Sequence, residues 1–111
     1  MSGSEDPKNL HILDALFATI ERRRGDSPDQ SWTAKLLAAA PELPVKKLIE
    51  EAGEVSIEAI KGDAPALTRE AADLIYHLLV VMAASGVKAS DVWAELERRQ
   101  GQSGLDEKAS R

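Results

Sequence analysis

The stretch from Glu70 to Ala84, EAADLIYHLLVVMAA, decides the fold, because after Asp73 it is apolar on almost every side of a helix. Such a helix is normally buried all round. At ~100° per residue, Glu70, Asp73 and His77 share one stripe of that helix. Isolated carboxylates that face a dry core are costly unless they are paired or bind a metal. The stretch therefore predicts a central helix whose acidic stripe needs a partner.

A second group of acids, Glu50, Glu51 and Glu54, lies on the preceding predicted helix. If the two helices pack antiparallel, the two groups of carboxylates meet. Ligand sets made only of oxygen atoms favour a hard cation such as Mg²⁺ or Mn²⁺ over Zn²⁺. The spacing therefore predicts a metal site between the two helices.

The alternative interpretation is a solvated helix face. Acids in a first turn are favoured by the helix dipole, and a surface stripe of charges is common. Stacked acids without interleaved cations weaken a helix slightly, which makes a plain surface stripe less favourable here. The charged residues of the third predicted helix fall within an arc of ~100°: Lys47, Glu50, Glu51, Glu54, Glu58 and Lys61.

Length and composition limit the class of protein. The chain has 111 residues, which suits one domain, and its high charged content suits a helical protein. A formal net charge of −5 argues against non-specific binding of nucleic acid. Because there is no cysteine, disulfides, thiolate catalysis and thiolate metal ligands are excluded.

The sequence also predicts a cytoplasmic protein without a membrane partner. Its first residues have neither the basic region nor the apolar core of a signal peptide. The longest apolar stretch, 74–84, is about half of the ~20 residues that a membrane span needs. The absence of cysteine fits the cytoplasm.

Hydrophobic periodicity and breaker residues predict an all-α antiparallel bundle of four to five helices, with no sheet. We expect a flexible lead over 1–8, a helical domain over 9–100 and a polar tail over 101–111. Ser27 is the expected cap of the short second helix, and Ser90 that of the fifth. The predicted helices cover 10–24, 28–40, 44–61, 64–84 and 91–99.

The pattern further predicts which side chains are buried. For the third helix the expected buried face consists of Val45, Leu48, Ile49, Ala52, Val55 and Ala59. The fourth helix is apolar on more faces than one small bundle can cover, which predicts a subunit interface and a homodimer. The expected candidates for the uncovered surface are Phe17, Val80, Met82 and Trp93.

Several residues near the acids are candidates for substrate binding. Trp32 could stack a base, and Lys35 and Lys47 could neutralise phosphate oxygens. His77, one turn beyond Asp73, could contact the substrate, although a core histidine is the more common role for such a residue. The arginines at 22–24 are interpreted as charges that favour a helix C-terminus.

The acidic motifs, EEAGE at 50–54 and EAAD at 70–73, resemble the E-E-x-x-E and E-x-x-D signature of the MazG-like all-α nucleotide pyrophosphohydrolases. Within that superfamily the chain resembles phosphoribosyl-ATP pyrophosphohydrolase of histidine biosynthesis. The resemblance covers most of the chain after Leu10. It is carried by SWTAKLL at 31–37, KKLIEE at 46–51, ADLIYHLLV at 72–80, and the ending at 95–99 and 103–111.

The resemblance implies Mg²⁺-dependent hydrolysis of phosphoribosyl-ATP to phosphoribosyl-AMP and pyrophosphate by a homodimer. It implies that the metal ligands are Glu51, Glu54, Glu70 and Asp73. Glu50 would then orient the attacking water or bind a further metal. The catalytic residues that the resemblance implies are Glu50, Glu51 and Glu54.

Two alternatives stay open from sequence. The first is a house-cleaning hydrolase of nucleoside triphosphates, which would use the same metal chemistry. The second is a non-catalytic helical oligomerisation module whose acids are a solvated face. Pyrophosphate release and Mg²⁺-linked stabilisation distinguish the module from both enzymes.

Overall fold

The structure is a computed structural model that describes residues 11–100, and within that range it is helical with no strand. The predicted all-α fold is thereby confirmed. The predicted lead and tail lie outside the described residues. The helices are α1 (Ile12–Arg22), α2 (Trp32–Ala38), α3 (Glu42–Lys61), α4 (Ala64–Ala84) and α5 (Ala89–Arg99), with a 3₁₀ turn over Arg23–Gly25 after α1.

Helix α4 forms the centre of the bundle, as its apolar sequence predicts. It contacts α1, α2 and α3. Its C-terminal half supplies most of the core, because apolar residues occur there on successive sides of the helix and each side meets another element. The buried core cluster consists of Ile20, Leu36, Leu79, Val80, Met82, Ala83 and Ala89.

A tight turn makes α3 and α4 an antiparallel pair. Gly62 ends α3 with a φ of 75°, the left-handed conformation that glycine adopts without strain. Asp63 then caps α4, because its carboxylate accepts a hydrogen bond of 3.0 Å from the backbone N–H of Ala66. The predicted break between these helices is confirmed, and the two acid-bearing helices lie side by side.

Three predicted helix starts are wrong. Helix α2 is capped by Ser31 and not by Ser27, because Ser31 adopts an extended backbone and its hydroxyl accepts from Ala34 N–H at 3.1 Å. Helix α5 begins at Ala89, whose side chain is buried, so Ser90 lies inside it. Helix α3 begins at Glu42, since a proline in the first turn, here Pro44, loses no intrahelical bond.

The expected uncovered surface on α4 is also wrong. Val80 and Met82 are buried, because α1, α2 and α5 together cover the C-terminal half of α4. Phe17 and Trp93 are half-buried and pack against the same core. Polar contacts hold this cover in place. The Trp93 indole donates to the Asp14 carboxylate at 2.7 Å, and Arg24 donates to the Ala83 carbonyl at 2.8 Å.

The predicted buried face of α3 is only partly correct. Leu48 and Val55 are half-buried, whereas Val45, Ala52 and Ala59 are exposed and Ile49 is 66% exposed. Helix α3 packs mainly on α4, and a single packing partner covers one side of a helix. That side includes part of the acidic stripe. The apolar side of α3 is therefore left open within the described chain.

Within residues 11–100, no single helix is long and apolar enough to cross a membrane. By length and composition alone, α4 and α5 meet that test only together, as a pair bent by 113°.

Candidate metal centre

Three carboxylates meet where α3 packs on α4. One oxygen atom from each of Glu51, Glu70 and Asp73 lies within 4.8 Å of the others. Glu70 and Asp73 are three residues apart on α4, so they share a face, and Glu51 approaches from α3. The convergence predicted from the spacing on the two helices is observed for these three residues. Because all three supply oxygen, the group fits a hard divalent cation.

Like charges dominate the electrostatics of this group. Burial raises the pKa of Glu70, and the nearby carboxylates of Glu54 and Glu51 raise it further. Glu54 is exposed and lies outside the group of three, although its charge is among the causes of the raised Glu70 pKa. Carboxylates this close repel one another, and a bound cation removes that repulsion. The site therefore has the charge that a metal ion requires.

Glu50 lies outside the group of three carboxylates and has a partner of its own. It accepts a hydrogen bond of 2.9 Å from Lys47, and both residues lie on α3. This bond lowers the pKa of Glu50 and raises the pKa of Lys47. Glu50 is therefore held as a charged acceptor at the edge of the acidic group, one residue before Glu51.

An exposed indole and two ammonium groups lie beside the acids. Trp32, at the start of α2, is 45% exposed. The Nζ atom of Lys35 is 5.9 Å from the centre of its ring, and that of Lys47 is 6.0 Å away. Both distances fall in the range of cation–π contacts. The structure thus brings together the three residues that the sequence proposed for the base and phosphates.

His77 is buried, in contrast to the other substrate-binding candidates. Its Nδ1 atom lies 2.8 Å from the backbone carbonyl of Asp73. A carbonyl only accepts, so Nδ1 carries a proton and donates it to this hydrogen bond. Nε2 is buried and has no hydrogen-bond partner within the described residues. In the single chain, His77 therefore contacts the backbone of a carboxylate residue.

The hydroxyl group of Tyr76 has a hydrogen-bond partner on another helix. Its hydroxyl shares a hydrogen bond with that of Thr33, and its ring meets the His77 ring edge-on with centroids 4.9 Å apart. Sequence reasoning missed Thr33 as a partner. No local signal identifies it, because the two residues are 43 positions apart in the chain.

Glu58 is also less exposed than sequence reasoning expected. Its side chain is 17% exposed, and Oε1 is buried without a hydrogen bond, 3.6 Å from the Lys61 ammonium group. It lies on the same helical stripe as Glu51, two turns further along α3. Its position on that stripe could have predicted partial burial, but its charge led to the prediction of an exposed side chain.

Two clefts are lined by residues of this region, one of them by Glu50 and the other by Trp32. One, of about 540 Å³, runs along the open side of α3 and is lined almost entirely by apolar surface of Val45, Ile49 and their neighbours. The other, of about 310 Å³, lies between the end of α1 and the start of α2 and includes Trp32. The larger volume does not by itself mark the chemistry, because apolar surface makes up nearly all of the cleft lining and Glu50 lies only at its edge.

Known proteins resemble the chain along most of its length. The family profile described as phosphoribosyl-ATP pyrophosphohydrolase matches residues 13–100. A phosphoribosyl-ATP pyrophosphatase of Dinoroseobacter shibae is 58% identical over 102 residues, which are 92% of this chain and 100% of that protein. The protein of the same name from Paracoccus denitrificans is 55% identical over 111 residues, which are 100% of this chain and 99% of that protein.

Proposed function

The chain belongs to the phosphoribosyl-ATP pyrophosphohydrolase family, and we propose that it hydrolyses phosphoribosyl-ATP to phosphoribosyl-AMP and pyrophosphate. In this reaction water is added across a phosphoric anhydride bond. The reaction is an early step of histidine biosynthesis, and we propose that it takes place in the cytoplasm. The observation that carries the proposal is the convergence of Glu51, Glu70 and Asp73 within 4.8 Å.

The acidic group is proposed to hold Mg²⁺, for which Mn²⁺ could substitute. Glu51, Glu70 and Asp73 supply the converging oxygens, and Glu54 completes the ligand set from the edge. When bound, the metal neutralises negative charge that develops on the phosphate oxygens. Glu50, kept charged by Lys47, accepts a hydrogen bond from the attacking water and orients it.

The nucleotide is proposed to lie across α2 and α3. Trp32 offers an exposed ring on which the adenine can stack. Lys35 and Lys47 hold positive charge about 6 Å from that ring, close enough to attract the phosphates of the same nucleotide. His77 helps to position Asp73 through its hydrogen bond to the Asp73 backbone carbonyl. It contacts the substrate directly only if its Nε2 atom, which is buried in the single chain, becomes accessible.

A homodimer is proposed as the working form. Helix α3 leaves a line of large apolar side chains open, among them Ile49 and Ile60, and Ile60 is 86% exposed. Exposed apolar surface of this kind usually forms a subunit interface, and two-fold symmetry is the commonest arrangement. Because the same helix carries Glu50 and Glu51, a partner bound there would lie next to each acidic group.

The proposed reaction is tested by identifying the product that contains the released phosphate. With Mg²⁺ and phosphoribosyl-ATP, the protein should release pyrophosphate and not orthophosphate, and chelation of the metal should stop the reaction. A panel with ATP and other nucleoside triphosphates provides the comparison. Turnover of ATP with a similar kcat/KM would contradict the substrate assignment and favour a house-cleaning hydrolase. Absence of any pyrophosphate release would contradict the activity itself.

A further inference from the structure

The polar cleft between α1 and α2 has, apart from Trp32, no residue with a role in the proposed reaction. It has a volume of about 310 Å³, and all of its lining residues except the indole carry polar side chains. They are Thr19, Arg23, Gln30, Ser31, Trp32 and Thr33. A cleft with this lining suits a charged, hydrogen-bonding group, and its one arginine suits an anion.

Trp32 connects this cleft to the catalytic side. Its indole lines the cleft, and the same ring lies about 6 Å from the ammonium groups of Lys35 and Lys47. Thr33, also in the cleft, bonds Tyr76, which is three residues from Asp73 on α4. Three residues of an α-helix cover ~4.5 Å along its axis. A nucleotide stacked on Trp32 therefore has the cleft close to it as well as the acids.

The chemistry of phosphoribosyl-ATP calls for two anion sites. The molecule has a triphosphate at one end and the phosphate of the added ribosyl group at the other. The acidic group, its cation and the lysines account for the triphosphate. We infer that the cleft between α1 and α2 holds the ribosyl phosphate, with Arg23 as its cationic partner, an assignment that rests on the proposed function.

Arg23 can bind a phosphate with little loss of stability. It now pairs with Asp26 at 3.6 Å, and its side chain is 53% exposed. Exposed ion pairs of this kind contribute little to stability. A phosphate offers the guanidinium group several strong acceptors. Ser31 accepts a hydrogen bond from Ala34 N–H, but its hydroxyl hydrogen can still donate, and the Gln30 amide provides further donors.

The experiment measures binding of two nucleotides that contain no phosphoric anhydride bond, in the presence of a chelator, so that no turnover is required. Phosphoribosyl-AMP contains the ribosyl phosphate, whereas AMP lacks it. Calorimetry should show that Arg23→Ala weakens binding of phosphoribosyl-AMP about tenfold or more, the effect of losing charged hydrogen bonds, and leaves AMP binding unchanged. Arg23→Gln, which retains hydrogen-bond donors without the charge, should give an intermediate loss.

Arg98→Ala is the matched control. Arg98 is 51% exposed and also pairs with an acid three residues away, Glu95, but it lies on α5. Its substitution should affect neither ligand. The inference is overturned if Arg23→Ala binds phosphoribosyl-AMP as the wild type does, or if it weakens both ligands equally. If Arg23-dependent binding is present but the wild type releases no pyrophosphate, the reaction proposal fails and the cleft assignment stands.

Discussion

The hydroxyl groups of Thr33 and Tyr76 share a hydrogen bond of 2.5 Å, which joins α2 directly to the central helix α4. From Tyr76 the contacts continue to the His77 ring and on to the backbone of Asp73. The short helix that presents Trp32 is thus tied to the helix that presents two of the three converging carboxylates. This connection fixes the proposed base-binding residue relative to the proposed metal ligands.

Removal of this hydrogen bond should loosen α2. We expect Tyr76→Phe and Thr33→Val each to lower the free energy of unfolding by ~1 kcal/mol, the usual contribution of such a bond. The double variant should lose clearly less than the sum, because both changes remove the same interaction. KM should rise more than kcat falls, since Trp32 and not the acids is displaced. Denaturant unfolding and steady-state kinetics measure both effects, and strict additivity would contradict the link.

The converging carboxylates should be separable from ordinary surface acids. Glu51→Gln and Asp73→Asn keep the side-chain shape but remove a charged ligand. We expect each to reduce pyrophosphate release by at least ~100-fold, the upper end of effects reported for residues that only support metal ligands. Glu97→Gln, on the exposed surface of α5, is the control and should retain full activity. Equal behaviour of all three variants would exclude a special role for the acidic group.

Glu70→Gln should raise stability in metal-free buffer and abolish stabilisation by Mg²⁺. The pKa of Glu70 is raised in the fold by burial and by neighbouring acids. The ionised form is therefore disfavoured in the folded state, and its cost appears as pH rises from the ordinary value near 4.5 through the raised pKa. Metal-free wild type should lose stability over that interval, and the variant should lose less.

Thermal unfolding with and without Mg²⁺ tests this prediction. For the wild type, Tm should increase with Mg²⁺ concentration, as expected for a ligand that binds only the folded state. A Glu70→Gln protein that is less stable than the wild type without metal, or that responds to Mg²⁺ equally, would contradict the electrostatic account.

The open side of α3 should hold two chains together. Ile60→Asp should convert a dimer to a monomer at micromolar concentration, because a carboxylate buried in an apolar interface is costly. Ile12→Asp is the control, since Ile12 is also a large exposed apolar residue but lies on α1. Sedimentation equilibrium measures the mass of each variant and so distinguishes a monomer from a dimer. A wild-type protein that is a folded monomer at that concentration would defeat the dimer proposal.

The sequence was sufficient where local signals determine the structure. Gly62 and Asp63 mark the turn between α3 and α4 through their own backbone and capping preferences. The spacing of the acids predicts that Glu51 meets the two acids of α4, but not that Glu54 lies outside the converging group. The all-apolar run of α4 likewise requires burial wherever its neighbours lie. These features depend on few distant contacts, so the pattern predicts them correctly.

The sequence was insufficient where the burial or role of a residue depends on which other element packs against it. Periodicity identifies an apolar face on α3 but cannot say that the face is left open, as Ile49 is. Ser27 and Ser31 have the same capping chemistry, and the structure uses the one beside buried Ala34. In the sequence, Arg23 is interpreted as a charge at a helix C-terminus. The cleft that it lines could not be predicted, because this cleft exists only after α1 and α2 have packed.

Glu51, Glu70 and Asp73 are proposed to form a divalent-metal site that serves pyrophosphate release. The most direct test of this proposal is a crystal structure of the protein grown with Mn²⁺, with anomalous diffraction recorded at the manganese edge. We predict an anomalous peak between α3 and α4 at 2.0–2.3 Å or so from the oxygens of these three residues, by analogy with hard-cation sites. An active, Mn²⁺-supported protein whose anomalous peaks all lie elsewhere would contradict the account.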